Sequence, residues 1–217
     1  MTTTDTTITY LGHSLFVITS SGGLRIATDP YDNMVRSQLP AVEADVVLVS
    51  HGHGDHSNLD IVRGNPVVVK GEGRHEISGL MVQGIAGYHD TSRGAQRGRI
   101  IIFKWTLDEI IFAHLGDLGQ VIDQKQRDFL KDVDILFLPV GGTFTVDARS
   151  ASQIVNLLNP PVVIPMHFKE PDSLLPIAGV EEFLKLYPGC KEAGRTITVN
   201  KEMIPSQTEV WVMRSMS

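Results

Sequence analysis

Apolar residues recur along this chain in two registers. In the first half they fall in short runs cut by Gly, Ser and Asp: residues 8–11, 15–19 and 24–28, with Gly22-Gly23 between the last two. Short runs rich in Ile, Val and Thr predict β-strands, and paired glycines predict a hairpin turn. Residues 46–50 (Val-Val-Leu-Val-Ser) are apolar nearly throughout, the pattern of a strand buried on both faces. The same reasoning predicts strands over 67–70, 80–83, 99–105 and 109–113, with the stretch from Trp105 to Asp108 turning the chain.

The second half adds the helical register. Residues 123–131 predict a short helix with Phe129 and Leu130 inward, followed by a buried strand from Val133 to Leu138. Over 147–158, Ala148, Ala151, Ile154, Val155 and Leu158 share one helical face. Asp147 suits the N-cap, and Asn159-Pro160 stops the helix. A strand over 162–165, a helix over 179–187 ended by Pro188-Gly189, and strands over 195–199 and 208–213 complete the chain. Strands first and helices interleaved later predict a layered α/β domain, with the topology left open.

Composition narrows the class. The 217 residues suit one domain, 1–217, large enough to bury roughly 70% of its unfolded surface without disulfide staples. The single cysteine, Cys190, has no partner in the chain, which fits a reducing compartment. A net charge of −6 argues against a polyanionic partner, since nucleic-acid binding usually leaves a basic footprint, and no nucleic-acid partner is expected. Residues Met1 to Asp5 lack the basic start of a signal peptide, and no apolar run approaches the ~20 residues that span a bilayer. A cytoplasmic protein without a membrane partner is the expectation; the oligomeric state stays open.

The candidate chemistry is concentrated in His51-Gly52-His53-Gly54-Asp55-His56, directly after the buried strand. Four imidazole and carboxylate donors in six residues suit zinc, manganese or iron, and the intervening glycines let the backbone bend so that the donors converge. The alternative is a solvated polar loop.

His-x-His-x-Asp-His after a buried strand resembles the signature of the metallo-β-lactamase superfamily. Gly87-Tyr88-His89-Asp90, Ala113-His114-Leu115-Gly116-Asp117-Leu118-Gly119 and Val163-Ile164-Pro165-Met166-His167 resemble, in order, the family's later ligand segments. Tyr10-Leu11-Gly12-His13-Ser14 and the segment from Pro139 to Asp147 resemble a bacterial branch related to ascorbate-6-phosphate lactonase. The resemblance runs from about Ile8 to Phe168. It implies an αββα four-layer sandwich with two divalent metal ions at one edge, zinc first, with manganese or iron as alternatives. His51, His53 and His89 would hold one ion; Asp55, His56 and His167 the other; Asp117 would bridge.

Other polar residues divide between site and scaffold. Asp29, in Ala27-Thr28-Asp29-Pro30, matches a family aspartate that supports the histidine loop. His13 reads equally as a site residue or a core histidine bonded to a backbone carbonyl. His114 reads as structural, and His75, Arg97 and Arg99 as surface residues. Lys169 and Arg93 are candidates for holding an anionic substrate, though ordinary surface charge accounts for both. Gly141-Gly142 either shapes a substrate loop or turns the chain.

The activity implied is hydrolysis of a small ester, lactone or phosphoester by a hydroxide shared between the ions, with Asp55 orienting it or taking its proton. The competing readings are a nuclease acting on RNA, di-iron redox chemistry and a non-catalytic metal-binding protein. The first two normally use an added domain for which 217 residues leave no room.

Overall fold

The computed structural model describes residues 4–215. The chain runs through β1 (Thr6–Gly12), β2 (Leu15–Thr19), β3 (Arg25–Thr28), β4 (Val42–Glu43) and β5 (Val46–Leu48) to a single-turn helix, α1 (Gly54–Ser57). Then come β6 (Val62–Arg63), β7 (Val67–Val69), β8 (Gly73–Ile77), β9 (Leu80–Tyr88), β10 (Arg99–Leu107) and β11 (Ile110–His114). The remainder is α2 (Gln124–Leu130), β12 (Ile135–Pro139), α3 (Ala148–Leu158), β13 (Val162–Met166), α4 (Glu181–Leu184), β14 (Lys191–Gly194), β15 (Thr196–Val199) and β16 (Glu209–Met213).

Two sheets face each other. The first has the order β15-β1-β2-β3-β5-β7, the second β14-β16-β13-β12-β11-β10-β9-β8. One core joins their inner faces: Ile8, Tyr10, Phe16 and Ile26 from the first pack with Ile102, Trp105, Phe112 and Phe137 from the second. Phe16 lies 4.3 Å from Phe137, ring centre to ring centre, across the gap. α2, α3 and α4 cover the outer face of the second sheet through Leu130, Ala151, Ile154, Val155 and Phe183. That second cover explains why β12 and β13 are buried at every position. The outer face of the first sheet is covered differently. Val47 and Ala27 pack there against Tyr31, Val35, Val42 and Ile177, which belong to loops and to the small β4–β6 pair. The helical layer on this side is reduced to short turns.

Strand directions decide where the site lies. β1 is antiparallel to β2, β2 to β3, and β3 is parallel to β5, so β1, β3 and β5 point the same way. In the second sheet β9 and β11 are both antiparallel to β10, and β11, β12 and β13 are parallel. Six strand ends therefore carry His13, Asp29, His51, His89, Asp117 and His167. Hydrogen bonds between the sheets fasten these ends: His167 N donates to His13 O at 2.8 Å, and Ile101 N to Ser50 O at 2.8 Å.

Several boundaries differ from the sequence reading. The turn placed at 105–108 occurs at Asp108-Glu109, both at positive φ, and β10 continues to Leu107. The helix expected over 179–187 has α-geometry only from Glu181 to Leu184, and tighter turns carry it on to Tyr187. The expected anchors still point inward, because Val180 and Phe183 are fully buried and the Tyr187 ring packs tilted against Phe183, 4.8 Å between ring centres. β4, β6, β8 and β14 were not anticipated. No described helix is long and apolar enough to cross a membrane.

Candidate metal centre

Three overlapping groups of donor atoms form at the strand ends, each within 4.8 Å internally: His51, His53 and His89; His13, Asp55, His56 and His167; and His51, His56 and Asp117. All seven candidate ligands from the sequence are thus brought together, and His13 joins them. Asp117 is the meeting point. Its Oδ1 lies 3.0 Å from His56 Nε2, and its Oδ2 lies 3.2 Å from His167 Nε2 and 3.4 Å from His89 Nε2. Burial is graded across the cluster. His53 is exposed and His51 and Asp55 half-buried, whereas His56, His89, Asp117 and His167 are buried.

The backbone is forced to serve this convergence. His13, Asp29 and His167 all sit at positive φ, 57°, 39° and 52°. The left-handed region is costly for residues with a Cβ, so these positions are held by what surrounds them. Gly141 packs flat on the His167 carbonyl, where any Cβ would collide, and Gly119 packs in the same way on the backbone of His89. Gly141-Gly142 therefore seats His167 as well as turning the chain.

Asp29 organises the histidine loop from below. Its Oδ1 accepts Ser50 N–H at 2.7 Å; its Oδ2 accepts the Ser50 hydroxyl at 2.6 Å and faces His56 Nδ1 at 3.0 Å. A carboxylate there requires the proton on His56 Nδ1, which turns Nε2 toward Asp117. Ser50 Oγ, having donated to Asp29, accepts from His51 Nδ1 at 2.9 Å, so His51 also presents Nε2. His13 faces His56 Nε2 at 3.2 Å and Asp55 at 3.5 Å through its own Nε2, rather than a backbone carbonyl. His114 is structural as expected: Nε2 bonds Ser14 O and Nδ1 accepts Gly116 N–H. His75 is half-buried and bonded to Gly71 O.

The electrostatics keep these groups in ligand-ready forms. Burial, reinforced by His167 beside it, pushes His13 down to about 3; burial and His56 do the same to His51. Burial also lowers His89. Burial alone would raise Asp117 and Asp55, but the neighbouring histidines outweigh it and hold both ionised. His56 is the exception. Burial disfavours its charge, yet Asp117 and Asp29 on either side raise it well above the ordinary histidine value. The His167 ring nitrogens, His89 Nδ1 and Asp117 Oδ1 are buried without hydrogen-bond partners. His167 Nε2 and Asp117 are close but not aligned to bond each other, as expected of two donors that share a cation. Neutral imidazoles, ionised carboxylates and orphaned lone pairs fit a divalent ion.

Residues 7–167 match the model of the β-lactamase superfamily domain. The chain belongs to the metallo-β-lactamase superfamily. It is 30% identical over 208 residues to a UPF0173 metal-dependent hydrolase of Thermococcus onnurineus, covering 82% of this chain and 91% of that one. It is 29% identical over 190 residues to a namesake in Carboxydothermus hydrogenoformans, covering 74% and 84%. A crystal structure from Thermotoga maritima, assigned to Zn-dependent hydrolases of this superfamily, superposes with a TM-score of 0.80 at 32% identity, covering 97% of this chain and all of that one. Within the superfamily the chain is a metal-dependent hydrolase, and the His/Asp cluster is able to bind the metal.

A cavity of about 310 Å³ opens onto this metallo-β-lactamase centre, floored by His53, Asp55, His89 and Asp117. Its walls are Met34, Phe144, Leu175 and Arg97. Arg97 was expected on the surface; the loop after His89 instead folds back and brings it to the cavity. Lys169 is committed elsewhere, bonding Ser173 O and Leu175 O at 2.6 and 2.7 Å. Arg93 does not line the cavity. The sequence holds no clear signal for Arg97, because Arg93, Arg97 and Arg99 look alike until the loop is folded.

Proposed function

We propose that this enzyme hydrolyses a small ester, lactone or phosphoester at a centre of two divalent ions, zinc first among them. The observation that supports the reading best is Asp117: it stands within 3.4 Å of histidines from two separate donor groups. His51, His53 and His89 would hold one ion, Asp55, His56 and His167 the other, and Asp117 would bridge. Divalent ions held there would supply a Lewis acid for the electrophilic oxygen and would lower the pKa of a bound water toward ~7. Asp55, ionised and open to the cavity, would orient the attacking water or take its proton. Asp29 holds His56 and, through Ser50, His51 in the tautomer that presents Nε2. The cavity admits a small molecule, in keeping with the lower end of ligand-site volumes, ~300–1,000 Å³.

The test combines metal content with turnover. Wild-type protein saturated with zinc, manganese or iron should hold two equivalents, and Asp117→Ala one or fewer with an unchanged circular-dichroism spectrum. A panel of a 4-nitrophenyl ester, a lactone, bis(4-nitrophenyl) phosphate and single-stranded RNA reads activity. Two-metal occupancy in Asp117→Ala with full turnover, or cleavage of RNA alone, would overturn the proposal.

A further inference from the structure

Arg97 is held against the cavity wall from three directions. Its backbone N–H donates to Asp90 Oδ2 at 2.8 Å; its Nη1 donates to Thr143 O at 2.8 Å; and its guanidinium lies 4.8 Å from the centre of the Phe144 ring. Asp90 fixes the whole loop, since it also accepts from the N–H groups of Ser92, Gly94 and Gln96. The facing wall is stitched to it: Thr143 Oγ1 bonds Pro176 O, and Ala178 N bonds Gly141 O. Leu175 and Phe144 are thereby fixed relative to the arginine. The Arg97 side chain is half-buried and pre-positioned by these contacts.

Of the five N–H donors of a guanidinium, the Thr143 carbonyl takes one, and among the described residues Arg97 forms no ion pair. Of the two other positive candidates, Lys169 is spent on carbonyls and Arg93 does not line the cavity. The cavity thus offers one positively charged, fork-shaped donor set beside an apolar wall of Met34, Phe144 and Leu175, with His89 and Asp117 at its floor.

Resting on the hydrolase reading above, we propose that Arg97 forms an anion subsite. The substrate carries a carboxylate or phosphate away from the bond that is cleaved, joined to an apolar portion that lies on Phe144 and Leu175. A guanidinium recognises either oxyanion through paired N–H donors, and stacking on Phe144 leaves its edge free to do so.

The test compares anionic and neutral partners of similar shape in metal-loaded wild type, Arg97→Gln and Arg97→Lys. For turnover the pair is mono-4-nitrophenyl glutarate and 4-nitrophenyl butyrate. For binding by calorimetry it is 4-phenylbutanoate and 4-phenylbutanamide, with 3-phenylpropyl phosphate as the phosphate arm. Arg97→Gln should lower the anionic-to-neutral ratio, in kcat/KM and in affinity, ten-fold or more, since hydrogen bonds to charged groups contribute about 1.5–3 kcal/mol. Arg97→Lys should restore part of it. A stronger loss for the phosphate than for the carboxylate identifies phosphate as the group read. Ratios within two-fold of wild type for both anions overturn the subsite. If wild type cleaves neither ester but Arg97→Gln loses the anion preference in binding, the subsite stands and hydrolysis of carboxylic esters falls.

Discussion

The carboxylate of Asp29 satisfies three donors at once, two from Ser50 and one from His56, in a fully buried position. Remove it and two histidines lose the partner that sets which nitrogen carries the proton. Asp29→Ala should therefore lower metal affinity about 10–100-fold, the usual effect of losing a ligand's orienting partner. Competition against a chromophoric chelator measures it; affinity within two-fold of wild type would show that the loop orients its histidines unaided. At this scale the site was largely legible. Every candidate ligand read from the sequence lies in the cluster, because donor-rich segments directly after apolar strands leave their side chains few other places to go. His13 and Arg97 were not settled that way. A lone histidine beside a glycine and one arginine among three carry no periodicity, and only the folded chain distinguishes them from their neighbours.

Elements position these residues through strand ends and the loops that leave them. The loop from Asp90 to Arg97 has almost no apolar anchor; one carboxylate collects four of its backbone N–H groups. Those bonds outweigh the effect of burial and hold the pKa of Asp90 below the ordinary aspartate value. Asp90→Ala should raise the amide exchange of Ser92, Gly94, Gln96 and Arg97 at least ten-fold while leaving the sheets protected, an outcome that exchange mass spectrometry or NMR resolves. Unchanged protection would mean that the loop holds its shape without the aspartate. Strands with buried runs were read correctly, and so was α3, whose Asp147 N-cap accepts Ser150 N–H at 2.8 Å. Elements without apolar alternation were missed. β8 is exposed or half-buried along its length and exists by pairing with β9 across Ser78-Gly79, a turn with both residues at positive φ. β14, Lys191–Gly194, likewise presents little to a core. The helix over 179–187 shortens because its anchors need only one wound face, which tight turns after Leu184 supply as well as α-geometry.

The two sheets meet at the cluster, so its charge state is coupled to the stability of the whole molecule. Without metal, two opposing linkages act. His13 and His51 have folded values near 3, and His89 and His114 are also lowered by burial. These rings bind protons more readily unfolded, near pH 6.5, so their contribution is lost as pH falls below about 6.5. His56 behaves in the opposite sense. Its folded value is raised by Asp117 and Asp29 against burial, so its contribution is fully present below about 6.5 and is lost as pH rises. Asp29 and Asp117, depressed in the fold, add a further loss only once pH falls below about 4. Chelator-treated protein should therefore show a melting temperature that peaks near pH 6.5. It should fall on both sides, more steeply on the acid side, where several rings titrate against one on the alkaline side. Saturating zinc should remove the alkaline flank, because the cation takes the place of the His56 proton, and should steepen the acid flank, because protons then compete with metal for the same nitrogens. Scanning calorimetry from pH 4.5 to 8.5, with and without zinc, reads both curves. A metal-free melting temperature that stays flat from pH 5 to 8 would mean that the histidine cluster titrates alike in the folded and unfolded chain.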